Sequence, residues 1–163
     1  MAESASPDKY DKWAVVVFSL DGLWQVEELP PTVADDLETV VGAVRGQVAG
    51  AFALVDIADE FFVIVRYVGG QERLLLSDVT ASVAWDLAAQ VLERLEMELP
   101  TDDDLDEVWP AGDLGIFDDL GLDGMELGAI LSDVDAYADE MLSTLARRLG
   151  FADAYERVMD ALV

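Results

Sequence analysis

Apolar positions follow two rhythms along the chain, and the places where they change mark its elements. From Lys12 to Leu20 both alternating faces are apolar, the pattern of a strand covered on both sides. Asp21-Gly22 is a tight hairpin signal. Leu23 to Leu29 then alternates, with Trp24 and Val26 on one face against Gln25 and Glu27 on the other, as in a strand with one wet face. Pro30-Pro31 stops it. Leu37, Val40, Val41, Val44 and Val48 recur at helical spacing, which predicts an amphipathic helix over 33–48. Thr32 and Asp35 form its expected capping box, and Gly50 releases it. Apolar runs at 51–57 and 61–68, split by Ala58-Asp59-Glu60, predict two more strands. Gly69-Gly70 turns the chain into another at 73–77. The helical period returns over 80–99 through Val83, Leu87, Val91 and Leu95, with Ser77 or Asp78 as the cap.

The first hundred residues thus run β-β-α-β-β-β-α. Hairpin-length loops make the sheet mostly antiparallel, with helices on one face, so the fold class is α+β. Three short helices are expected afterwards, at roughly 123–133, 136–149 and 152–162, with Gly150 as a C-cap. The expected organisation is a sheet domain over 1–99 (opened by a loose arm at 1–11), an acidic linker over 100–112 and a helical subdomain over 113–163.

Charge changes the picture most. The 163 residues carry 35 Asp or Glu against 9 Lys or Arg, a net charge of −26. From Glu96 to Glu140 there are sixteen acids and no Lys or Arg. Phosphate backbones and anionic membrane surfaces are disfavoured partners, and a basic protein is a favoured one. An apolar fraction of 53% distinguishes the chain from a disordered acidic tail. There is no cysteine and no histidine, so the usual nitrogen/sulfur zinc site cannot be built. Met1 to Lys12 lacks the apolar core of a signal peptide, and no run approaches a membrane span. A cytoplasmic protein is expected.

Candidate chemistry is sparse. Asp102, Asp104 and Asp106 alternate as in a calcium loop, but the sixth and twelfth places hold Glu107 and Asp113 where an EF-hand needs Gly and Glu. A solvated linker explains them better. Pairs such as Asp118/Asp119 have no nucleophile or orienting group beside them in sequence. No catalytic residue, metal site or cofactor is assigned. Trp13, Trp24 and Trp85 lie in predicted strands and a helix and are expected in the core. Trp109, beside Pro110 in the acidic linker, is a candidate partner anchor. With Asp102, Asp103, Asp104, Asp106, Glu107, Asp118 and Asp119 it makes up the candidate partner-binding surface. Leu114, Ile116, Phe117, Leu120 and Leu122 are too many apolar residues for a solvated loop. They are expected to plug the space between sheet and C-terminal helices, with Gly112, Gly115 and Gly121 allowing the close turns. Neutralising Asp118 and Asp119 is then expected to change stability little. If Phe117 were exposed instead, the stretch would be a docking motif.

Two resemblances bear on this. Phe117 to Leu127 (Phe-Asp-Asp-Leu-Gly-Leu-Asp-Gly-Met-Glu-Leu) resembles the prosthetic-group motif of acyl carrier proteins, but Gly124 stands where their serine would be and offers no hydroxyl. Pro110-Ala-Gly-Asp-Leu-Gly-Ile-Phe-Asp-Asp-Leu-Gly-Leu, with Leu-Gly-Phe-Ala-Asp at 149–153 and the strand near Trp13–Leu20, resembles the actinobacterial tRNA adenosine deaminase-associated protein family. The family takes its name from gene neighbourhood with the tRNA-specific adenosine deaminase, so that resemblance implies either an accessory protein, with the deaminase as its candidate partner, or merely a neighbour. It carries over no catalytic residues. The deaminase itself needs zinc held by His and Cys, which this chain lacks. Two other function classes stay open: a carboxylate enzyme dependent on Mg²⁺ or Ca²⁺, which three converging carboxylates would reveal, and a nucleic-acid mimic that competes with tRNA for the deaminase.

Overall fold

A computed structural model describes residues 12–101, 103, 105, 108–133 and 135–162. The arm at 1–11 and Asp102, Asp104, Asp106 and Glu107 lie outside the described residues. Six strands form one antiparallel sheet: β1 (Lys12–Leu20), β2 (Leu23–Leu29), β3 (Phe52–Ile57), β4 (Phe61–Val68), β5 (Gln71–Leu76) and β6 (Ala111–Gly112). Their order is β2-β1-β3-β4-β5-β6. The expected α+β fold with its antiparallel sheet is what the structure has.

The hairpins explain the register. Asp21 and Gly22 have φ of 54° and 81°, so a two-residue primed turn places Leu20 opposite Leu23 and matches the strand twist. Gly69-Gly70 does the same between Val68 and Gln71. The continuous apolar runs of β1, β3 and β4 follow from covering both faces. On one face α1 (Leu37–Arg45) and α2 (Asp86–Arg94) pack Leu37, Val40, Val44, Leu87 and Val91 against Val55, Val63 and Leu76. On the other, α3 (Gly124–Leu131), α4 (Ala138–Leu149) and α5 (Ala152–Leu162) set Leu127, Leu142, Leu145 and Tyr155 against Val15, Phe52, Leu54 and Ile64.

The first two helices are shorter than periodicity predicts, for local reasons, whereas α5 spans the expected residues. Thr32 and Asp35 fall in a 3-10 turn over Pro31–Asp35, and α1 starts only at Leu37. The Asp78 carboxylate accepts from the Thr80 amide and hydroxyl, which closes a second 3-10 turn over Val79–Val83. Trp85 is extended before α2 begins at Asp86. Gly150, at φ 100°, ends α4 in the left-handed conformation, as its C-cap position requires.

Candidate functional site

The second core is closed by the stretch 110–122. Ala111 and Gly112 leave the acidic linker to pair with Leu76 and Leu75. A Cβ on Gly112 would stand 2.2 Å from the Leu74 carbonyl oxygen, and its φ is +111°, so only glycine fits this edge. Beyond it Ile116, Phe117 and Leu122 are fully buried, and Leu114 and Leu120 pack beside them half-buried.

This stretch also covers a buried cation. Arg66 points from β4 into the second core with its side chain 3% exposed. Its guanidinium donates to the Gly50 and Ile116 carbonyls at 3.1 and 2.7 Å and to both Asp119 oxygens at 2.6 and 2.9 Å. The Arg66 hydrogen bonds hold the Asp119 carboxyl below its ordinary pKa. The expectation that Asp119 can be neutralised freely is therefore corrected. Its carboxylate is the only side-chain counter-ion of Arg66 among the described residues, and a buried charge without its partner is costly. Asp119→Asn is expected to cost about 1–2 kcal/mol, solvent screening of the half-exposed carboxylate keeping it below a fully buried pair. Asp118→Asn, on an exposed side chain, should sit near zero. Urea denaturation of the two variants checks this, and equal effects would contradict it.

A groove of about 540 Å³ opens where the β3–β4 turn, the end of β5, the linker and the α3–α4 loop meet. Leu131 and Met141 contribute its apolar floor, and Val108 and Tyr137 stand at its sides, 62% and 67% exposed. Asp59, Glu60, Asp78 and Asp133 line it, with no Lys or Arg. The linker is held against it by the Val79 amide, which donates to the Trp109 carbonyl at 2.8 Å.

Behind the groove lies a group of carboxylates that ties α4 to the sheet. Ala58 and Asp59 adopt positive φ in the β3–β4 turn. This lets the Asp59 carboxylate accept from the Asp139 amide at 2.8 Å, a favourable place for an acid at a helix start. The Asp59 amide donates to Asp56 Oδ1 at 3.0 Å. Asp56 itself is 2% exposed, and its Oδ2 has no partner among the described residues. Burial pushes its carboxyl up to about 7, assisted by the charges of Asp59 and Asp139. Partial desolvation and the Asp59 side chain also raise Asp139, and burial raises the Tyr155 hydroxyl. No three of the described acidic residues are grouped so as to hold a metal ion.

The sequence-predicted residues scatter across this geometry. Asp103 is exposed, and Trp109 is 38% exposed at the linker's end. Asp118 and Asp119 belong to the Arg66 corner rather than the groove. Trp13 and Trp24 pack half-buried on Tyr155 and Phe151, and Trp85 on Phe61. Asp56, Asp59 and Arg66 carry no motif. Their one signal is a charge inside, or just after, a run otherwise apolar on both faces.

A family model described as the Rv3753c-like tRNA adenosine deaminase-associated protein matches residues 12–152. The chain is similar to protein Rv3753c of Mycobacterium tuberculosis, 43% identical over 161 residues that cover 95% of this chain and 91% of that one. No solved structure matches. No helix among the described residues is long and apolar enough to cross a membrane.

Proposed function

We propose that the chain, which belongs to the Rv3753c-like tRNA adenosine deaminase-associated protein family, is a non-catalytic accessory protein that docks on a basic partner, the tRNA-specific adenosine deaminase. The supporting observation is the distribution of its few cations. Within the acid-only run from Glu96 to Glu140, Arg66, Arg73 and Arg148 pair with Asp119, Asp113 and Glu126. Outside it Lys12 pairs with Asp35, Arg45 with Glu72, and Arg94 with both Glu38 and Glu72. The run's other acids have no ion pair with Lys or Arg among the described residues, so the run keeps a large surplus of negative charge. Such a field steers a positive surface in and repels phosphate backbones. Without His or Cys the chain cannot hold the deaminase's zinc, so its role is beside that activity.

Binding of the purified deaminase to the purified chain tests this. Affinity is expected to fall at least tenfold between about 50 mM and about 500 mM salt, as the screening length contracts from roughly 14 Å to roughly 4 Å. Salt-independent binding would argue against electrostatic docking, and no binding at low salt would argue against the partner. The isolated chain should give no gel shift with tRNA.

A further inference from the structure

We propose that the groove between the β3–β4 turn and the α3–α4 loop seats a bulky apolar side chain of the partner, with Lys or Arg residues of the same partner segment lying along its rim. This rests on the docking reading above and names the seat and the segment's chemistry. A cavity of about 540 Å³ falls in the size range of preformed sites. Val108 and Tyr137 line the groove and are more than half exposed, apolar surface that an occupant would cover. The rim then selects the occupant. Asp59, Glu60, Asp78 and Asp133 line the groove, and none of them is ion-paired with a Lys or Arg among the described residues. A purely apolar segment would partly desolvate four carboxylates and bring them no cation, and an acidic one would be repelled. A second copy of this chain brings another charge of −26 and is opposed for the same reason. A basic segment with one apolar anchor satisfies floor and rim together, the anchor supplying affinity and the cations supplying steering.

The probe is the purified tRNA-specific adenosine deaminase, titrated at low salt against wild type, Val108→Glu, Tyr137→Ala and Leu23→Ala. All three sites are exposed, so the variants should fold, which circular dichroism checks. The groove variants are expected to bind at least about tenfold more weakly. Leu23→Ala, on the exposed face of β2, should bind as wild type. A photo-crosslinking benzoyl-phenylalanine in place of Tyr137 should attach to a peptide in which Lys or Arg flanks an aromatic or branched apolar residue. Equal binding by the groove variants, or a crosslink to an acidic peptide, overturns the seat while leaving the docking reading in place. Failure of wild type itself to bind overturns both.

Discussion

Asp56→Asn is expected to stabilise the protein by up to about 4 kcal/mol at pH 8, and by only about 1–2 kcal/mol near pH 5. Asp56 lies on the inward face of β3 toward α4 and α5, 2% exposed, with Oδ1 accepting the Asp59 amide and Oδ2 unpartnered. Burial raises its carboxyl from 3.8 to about 7. The folded state therefore holds this proton more tightly than the unfolded chain does. Stability is intact below about pH 4, declines as pH rises toward 7 and stays reduced above that. Asparagine keeps the Oδ1 acceptor and cannot ionise. Its amide and the protonated carboxyl each leave one polar group without a partner, so the two forms are close in acid and diverge as Asp56 ionises. Urea denaturation of both proteins at the two pH values measures the gap. A gap that does not grow with pH would mean that Asp56 is already ionised and satisfied in the folded state.

That carboxylate also shows where sequence patterns stop being informative. Strands β1, β3 and β4 are legible because helices on both faces make nearly every position apolar, and the turns at Asp21-Gly22 and Gly69-Gly70 are legible because they need positive φ. Helix starts are less so: Asp78 caps as the pattern expects, but the turn it opens is 3-10 over Val79–Val83 and α2 begins only at Asp86. The groove is illegible for a different reason. Its walls come from residues 59–60, 77–78, 108, 131–133, 136–138 and 141, which only the tertiary fold gathers, and none forms a motif. Of the acidic run's described carboxylates only Asp133 lines the groove, so the run does not locate the cavity. Asp56 and Arg66 are visible as lone charges within or beside apolar strands, but whether such a charge is paired, as Arg66 is, or stranded, as Asp56 Oδ2 is, depends on segments tens of residues away.

Phe117→Ala is expected to cost about 3–5 kcal/mol, which for a chain of this size lowers the melting temperature by roughly 8–16 °C. The ring is 0% exposed and meets Phe52 of β3 edge-on at 4.8 Å. The Arg66 guanidinium lies 5.7 Å from its centre. Its backbone carbonyl accepts from Leu120 and Leu122 at 2.9 and 3.3 Å, so backbone and ring together hold the turn that buries Leu122. Truncation leaves a cavity between β3 and the segment, and rigid backbone at Gly112 and the Arg66–Asp119 clamp limit how far that segment can collapse into it. Leu120→Ala, on a half-buried side chain of the same turn, should cost clearly less, which separates loss of core volume from general damage to the stretch. Thermal and urea unfolding of both variants decides the matter. If Phe117→Ala melts with wild type while weakening capture of the deaminase, the ring serves a partner rather than the core, and 110–122 is a docking motif that opens to expose it.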